Sequence, residues 1–157
     1  MPEARDIYQE HLETVSRAIW TRDYARIAEM MHYPHQISTP RRSAIVETPE
    51  QLMLDAQAFR ENLAGLAATA YHRVCRAAAF DGPDRIVGRH ITYVLRGGTY
   101  VTDPYMSDMR LVRRDGAWLG AGIVISEHNL SMSYFHPDTL RDVLRQPGDD
   151  TPEGDQK

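Results

Sequence analysis

Hydrophobic and polar positions follow a helical period in the first half of the chain. In the first twenty residues, apolar side chains recur at helical spacing as Ile7, Tyr8, Leu12, Val15 and Ile19. This pattern predicts an amphipathic helix over about 3–21. Asp23 suits the N-cap of a second, shorter helix that runs through Met31, and Pro34 ends it because proline disfavours a helical residue before it.

A short hairpin and a third helix are predicted next. Two extended runs, 35–39 and 43–47, flank Pro40-Arg41-Arg42. The segment Thr48-Pro49-Glu50-Gln51 then combines a threonine cap, a proline at the first helical position and a glutamine three residues after the cap. That order is typical of a helix start, and the helix is expected to end near Gly65.

The period changes to that of strands from Tyr71 to His128. Four runs rich in Val, Ile, Tyr and Thr are separated by turns at 81–84, Gly97-Gly98 and Asp115-Gly116, which predicts an antiparallel meander. A short last helix is expected after Pro137. Residues 147–157 contain no apolar side chain and are expected to be disordered. The predicted organisation is one domain over 1–146 and a tail over 147–157.

Composition excludes several classes of protein. A formal charge of −4 without a basic stripe argues against binding to nucleic acid or to an anionic membrane. No run reaches the ~18 apolar residues of a membrane span, and the first twenty residues do not resemble a signal peptide, so the cytoplasm is the expected location. The single Cys75 is expected in the core rather than as a nucleophile.

The order of elements resembles the nuclear transport factor 2-like superfamily, which includes SnoaL-like polyketide cyclases and ketosteroid isomerase. The resemblance covers about residues 5–130 and is carried by Asp23-Tyr24, Tyr33-Pro34 and the segment 114–118. It implies an α+β fold in which a curved, cystatin-like mixed or antiparallel sheet wraps around the three helices as a cone with a pocket. No catalytic motif of the family can be placed on this chain, and a fold alone does not supply a function.

Two-residue turns predict which strand residues oppose each other. The expected pairs are Arg114 with Ala117, Asp103 with His128 and Thr92, Tyr105 with Ser126 and His90, and Cys75 with His90. Pro104 is the weak point, because a bulge there would reverse every facing beyond it.

This register assigns side chains to two faces of the sheet. The face expected to point into the cone carries Tyr71, Cys75, Ala77, Gly88, His90, Thr92, Asp103, Tyr105, Ser107, Gly120, Gly122, Ser126 and His128. The opposite face carries Val74, Arg76, Arg89, Ile91, Tyr93, Met106, Asp108, Leu119, Ile123, Ile125 and Glu127. The aliphatic residues of this outer face predict a homodimer through it. The alternative is a solvated face that the carboxy-terminal segment partly covers.

The inner face suggests a chemistry. An Asp103 carboxylate would orient the His128 ring and stabilise its imidazolium, while Tyr105 donates to an oxygen that gains charge and His90 assists. The expected ligand-binding residues are Thr92, Ser126 and Tyr71, and the expected ligand is small and apolar.

Such a set suits proton abstraction beside a carbonyl, as in isomerases, dehydratases and cyclases, without metal or cofactor. His32 and His35 lack the neighbours of a metal site. A polar contact of purely structural value and a non-catalytic dimeric ligand-binding or assembly module are the alternatives.

Overall fold

The structure is a computed structural model that describes residues 2–126, 134 and 135. Within these residues the helices are α1 (Ala4–Trp20), α2 (Tyr24–Glu29) and α3 (Pro49–Gly65). The strands are β1 (Met31–Ser38), β2 (Ser43–Val46), β3 (Ala70–Phe80), β4 (Arg85–Arg96), β5 (Thr99–Tyr100), β6 (Tyr105–Arg114) and β7 (Ala117–Ile125). The expected last helix and the tail lie outside the described residues.

The predicted caps set where the helices begin. Asp23 Oδ1 accepts a hydrogen bond from the Arg26 amide at 3.2 Å, and Thr48 Oγ1 accepts one from the Gln51 amide at 3.1 Å. Helix α2 is shorter than expected, since it ends at Glu29 and β1 begins two residues later. Both caps satisfy amides that a helix start leaves without partners.

The strands form a mixed sheet that is not closed, with the order β2-β1-β7-β6-β4-β3 and β5 on the side of β4. The meander from β3 to β7 is antiparallel, as predicted. Strand β1 pairs with β7 in parallel, and this pairing shifts between Met31 and Gln36. Pro34 lies within that gap, where a residue without an amide donor costs no ladder bond. The fold class, α+β with a curved sheet around three helices, is confirmed.

The turns fix the register near each hairpin as predicted. Arg114 opposes Ala117, and Cys75 opposes His90. Arg96 opposes Thr99, as a two-residue Gly97-Gly98 loop requires. Away from the turns, three irregularities change the pairing.

The first irregularity is an extra residue in β7. Arg110 opposes Gly122 while Leu111 opposes Gly120, so Ala121 has no partner across the ladder. One inserted residue reverses the facing of every later residue in the strand. The prediction was therefore wrong for Gly122 and Ser126, which face outward, and for the two isoleucines 123 and 125, which face the cone.

A second irregularity lies before β6. Tyr105 opposes Thr92 rather than His90, and His90 opposes Ser107. The slip is by two residues, so it keeps Tyr105 on the inner face. Asp103 precedes the strand and is exposed. The predicted pairing of Asp103 with Thr92 and its inward facing were wrong, because the chain leaves the ladder at Pro104.

The third irregularity is in β3, where Arg76 has no partner between Cys75 and Ala77. Ala77 consequently opposes Arg89 on the outer face, contrary to its predicted inward facing. Cys75 is buried in the core as expected.

The helices cover the concave side of the sheet and form its core. Helix α1 packs on β3 and contributes the fully buried Tyr8 and Leu12, which meet Ile86 and Leu111 of the sheet. Helix α3 contributes Leu63 and other apolar residues to a larger cluster. The cone contains a cavity that is lined mainly by residues of this larger cluster. In the described part of the chain, no helix combines the length and apolar character needed to cross a membrane.

Candidate functional site

The cavity of the cone has a volume of about 120 Å³. Helices α1, α2 and α3 cover it and the concave face of the sheet forms its floor. Its apolar wall consists of Val15, Ile19, Ile27, Met31, Ile37, Leu52, Ala56, Phe59, Met109, Ile123 and Ile125. Its polar residues are His11, His35, Asp55, Tyr71, Arg73, His90, Thr92, Tyr105, Ser107 and Tyr134. Although ten lining residues carry a polar group, most of the surface that faces the cavity is apolar, and such a wall is typical of a small-molecule site.

His90 is held at the floor of the cavity by Tyr8 of α1. Both residues are 0% exposed, and the Tyr8 hydroxyl lies 2.7 Å from His90 Nδ1. Tyr8 approaches the sheet this closely because Gly88 has no side chain, and a Cβ at that position would overlap the Tyr8 ring. Burial raises the pKa of Tyr8 well above its usual range, so the phenol stays protonated.

His11 and His35 meet at Gly120 of β7. His11 Nε2 donates to the Met30 carbonyl at 3.2 Å, and His35 Nδ1 donates to the Gly120 carbonyl at 2.9 Å. A Cβ at Gly120 would lie 3.4 Å from His11 Cε1 and 3.6 Å from His35 Cε1. Both imidazoles are thus within ordinary contact distance of this position, while the absence of a side chain at Gly120 leaves room for Met31, whose Sδ would lie only 2.8 Å from a Cβ there.

All three imidazoles are neutral at pH 7. Burial is the largest cause, and it lowers the pKa of His11 to about 4, of His35 to about 4 and of His90 to about 3. The Arg73 guanidinium lowers the pKa of His11 and His90 further. Each neutral ring has one N–H and one bare nitrogen.

Two buried imidazole nitrogens in this cluster have no hydrogen-bond partner among the described residues. His11 Nδ1 and His90 Nε2 are buried, and neither makes a hydrogen bond to any described residue. An unpaired buried polar group costs free energy that a bound molecule can recover. These two atoms are therefore candidate hydrogen-bonding positions for a ligand.

Aromatic rings form the other end of the cavity. Tyr134 stacks on Phe59 with centroids 5.0 Å apart, and its hydroxyl donates to the Tyr105 hydroxyl at 2.6 Å. Tyr71 meets the edge of Phe59 at 5.6 Å, and burial raises the pKa of Tyr71. Tyr105 thus lies at the aromatic end of the cavity, opposite Thr92.

The structure brings four of the predicted site residues to the cavity, namely Tyr71, His90, Thr92 and Tyr105. It does not bring Asp103 there, since that carboxylate is exposed before β6. Ser126 is also exposed, and its hydroxyl donates to the Met106 carbonyl at 2.6 Å. His128 lies outside the described residues.

Sequence reasoning missed His11 and considered His35 only as a metal ligand. His11 falls three residues after Tyr8 and four before Val15, which places it on the buried face of α1. That spacing was the available signal. Within residues 2–126 and at 134 and 135, no group of three or more His, Cys, Asp or Glu side chains is arranged to hold a metal ion.

Comparison with known proteins identifies the fold. No family model matches the chain, and no curated protein matches it. A nuclear transport factor 2-like protein of unknown function from Shewanella oneidensis is 8% identical, with 78% of this chain and 98% of that chain covered and a TM-score of 0.61. A ketosteroid isomerase-like protein from Erwinia carotovora atroseptica is 14% identical, with 82% and 99% covered and a TM-score of 0.58.

A third similar structure extends over more of the chain. It is a nuclear transport factor 2-like protein with a cystatin-like fold from Novosphingobium aromaticivorans, 11% identical, with 90% of this chain and 89% of that chain covered and a TM-score of 0.59. Identities this low establish a shared architecture and leave the activity open. The chain has the nuclear transport factor 2-like, cystatin-like fold.

Proposed function

We propose that this chain is a SnoaL-like pocket protein for one small, largely apolar molecule. The observation that carries the proposal is the cavity of about 120 Å³ between the helices and the sheet. An apolar cavity of about 150 Å³ in another protein takes up benzene. The cone therefore suits one six-membered ring with a small substituent.

Binding is tested by titrating the protein with toluene and with cyclohexanone and following its amide spectrum by NMR. Ala56 of α3 lines the cavity, and Ala64 of the same helix is exposed. Ala56→Leu should fill the space and abolish binding, while Ala64→Leu should bind as the parent does. Saturable shifts that persist in Ala56→Leu, or no binding of either compound to the parent, would refute the proposal.

A second candidate function is cofactor-independent proton transfer on a small carbonyl compound, of the isomerase, dehydratase or cyclase kind. The unpaired nitrogens of His11 and His90 favour it. In this mechanism His11 Nδ1 takes a proton from the carbon beside the carbonyl, and His90 Nε2–H donates to the oxygen as it becomes an enolate. Reprotonation on carbon or on oxygen restores the neutral His11. Tyr105 is retained as a polar group that positions the substrate.

The depressed pKa of His11 favours the non-catalytic alternative, because a base with a pKa of about 4 removes such protons slowly. Deuterium uptake at the ring carbons of cyclohexanone in D₂O separates the two. His11→Gln keeps a polar side chain but removes the base, and His72→Gln changes an exposed histidine of β3 as a control. Catalysis is supported if the protein accelerates deuterium uptake above the rate in buffer alone and if His11→Gln, but not His72→Gln, abolishes this acceleration. If cyclohexanone binds but takes up deuterium only at the rate in buffer, the protein is a binding protein.

The outer sheet face is proposed to form a homodimer. Val124 is 49% exposed there, and Val74 and Val87 share the face with the 2.7 Å ion pair between Arg89 and Asp108. These exposed valines on one sheet face are the feature that a protein partner would cover. Light scattering after size exclusion should show a dimer that Val124→Glu dissociates. The control Leu54→Glu places the same charge at a 40% exposed leucine of α3 and should remain dimeric. A monomeric parent protein would contradict the proposal.

A further inference from the structure

Backbone carbonyls fix which nitrogen of His11 and of His35 carries the ring proton. His11 and His35 each donate one ring N–H to a backbone carbonyl, Met30 and Gly120 respectively. Because a neutral imidazole has a single N–H, the other nitrogen of each ring is a bare acceptor. These two residues, which both line the cavity, therefore have acceptors at His11 Nδ1 and His35 Nε2.

His90 has the opposite polarity, because Tyr8 fixes its tautomer. If the Tyr8 hydroxyl donates to Nδ1, the ring proton is on Nε2 and only that N–H lacks a partner. If Nδ1 instead donated to the phenol oxygen, the phenol hydrogen would also be left without an acceptor among the described residues. Each such loss is costly in a buried site. The first arrangement is favoured, and His90 Nε2–H is a donor at the cavity floor.

Water alone is a poor occupant of this space. A volume of about 120 Å³ would hold several water molecules, each needing ~2–4 polar partners. Most of the wall is aliphatic or aromatic, and its unpaired nitrogens lie on the histidines. A single molecule with an apolar body and one polar edge fits both the wall and the imidazoles.

We propose that the ligand carries a hydrogen-bond acceptor and a hydrogen-bond donor on one small ring, as a cyclic amide or a ring hydroxy-ketone does. Its acceptor pairs with His90 Nε2–H and its donor with His11 Nδ1. The inference rests on the proposed small-molecule pocket and adds the polarity of the molecule that it takes.

The test compares four ring compounds with the same number of non-hydrogen atoms: toluene, cyclohexanone, phenol and 2-pyridone. Only 2-pyridone has an acceptor and a donor on adjacent atoms of one rigid ring. By NMR titration it should bind at least about tenfold more tightly than toluene, since one well-made hydrogen bond corresponds to about that factor. Cyclohexanone, with an acceptor alone, should fall between them.

Variants assign the preference to the two histidines. His11→Leu removes the acceptor and should lower the affinity for 2-pyridone by about tenfold relative to the affinity for cyclohexanone. Ile19→Val changes the apolar wall and should affect all four compounds alike. Tyr8→Phe keeps the packing but removes the hydroxyl that fixes the tautomer of His90. The ring ¹⁵N resonances of His90 should then show a mixture of the two N–H forms, and the ratio of the affinities for cyclohexanone and toluene should decrease.

The outcomes separate the two levels of the proposal. The donor–acceptor inference would be overturned if toluene bound as tightly as 2-pyridone. It would also be overturned if His11→Leu lowered the affinities for cyclohexanone and 2-pyridone by the same factor. Either result would leave the proposed pocket unaffected. Failure of all four compounds to bind would overturn the pocket itself. A single His90 tautomer that is unchanged in Tyr8→Phe would refute the role given to Tyr8.

Discussion

Three buried neutral imidazoles should make the fold sensitive to mild acid. In the unfolded chain a histidine has a pKa near 6.5, whereas burial lowers the pKa of His11 and His35 to about 4 and of His90 to about 3. Between these values the unfolded state binds more protons than the folded state. Stability is therefore complete above about pH 6.5 and falls as the pH drops towards the folded values.

At pH values well above the folded-state pKa values, the size of the stability loss depends only on the pKa of histidine in the unfolded chain. Between about pH 7.5 and about pH 5.5 each imidazole lowers the free energy of unfolding by roughly 1.4 kcal/mol, so the three together lower it by about 4 kcal/mol. A domain of this size is stable by roughly 5–15 kcal/mol, so the loss is a large fraction. Carboxylates titrate mainly below this window, which makes the window specific for histidine.

Urea unfolding at a fixed protein concentration measures the effect. The free energy of unfolding should decrease by about 4 kcal/mol between about pH 7.5 and about pH 5.5. The variants His11→Gln and His35→Gln should each remove about one third of this decrease, and His72→Gln, an exposed change, should leave it intact. A decrease below about 1 kcal/mol, or one that none of the cavity variants reduces, would refute the neutral imidazole cluster.

Three further substitutions test the packing that positions the site. Gly88→Ala should destabilise the fold by roughly 1–3 kcal/mol, because the added methyl overlaps the Tyr8 ring. Gly65→Ala is the control, since a Cβ at Gly65 meets open space. Equal urea midpoints for the two variants would contradict the close approach of Tyr8 to Gly88. Thr48→Ala should cost about 1 kcal/mol by loss of the α3 cap, and an unchanged thermal midpoint would count against that cap. In the monomeric Val124→Glu background, Arg89→Ala should leave the urea midpoint nearly unchanged, since its ion pair with Asp108 is exposed. A clear fall of that midpoint would contradict the exposure of the pair.

The elements of this fold were readable from local chemistry. Asp23 and Thr48 mark helix starts through their side-chain oxygens, and the turns at Gly97-Gly98 and Asp115-Gly116 set the pairing beside them. Each of these signals acts within a few residues, which is the range over which a sequence pattern is informative. The parallel contact of β1 with β7 joins distant parts of the chain, so no local pattern predicted it.

The site was only partly predictable for a related physical reason. His90 and Tyr105 were correctly placed on the inner face, because the slip before β6 is by two residues. Ser126 was misplaced because Ala121 forms a one-residue bulge that nothing in its neighbourhood requires. His11 lies on the buried face of α1 in plain helical spacing, yet a histidine there becomes chemically informative only when Gly120 and His35 are brought against it.

The side-chain ¹⁵N spectrum of histidine directly measures whether the cone binds a small molecule through neutral imidazoles whose ring protons are fixed in place. At neutral pH the ring proton should be on Nε2 of His11 and His90 and on Nδ1 of His35, and addition of 2-pyridone should move the resonances of His11 Nδ1 and His90 Nε2. Imidazolium signals from these rings, or resonances that do not respond to saturating 2-pyridone, would contradict the account.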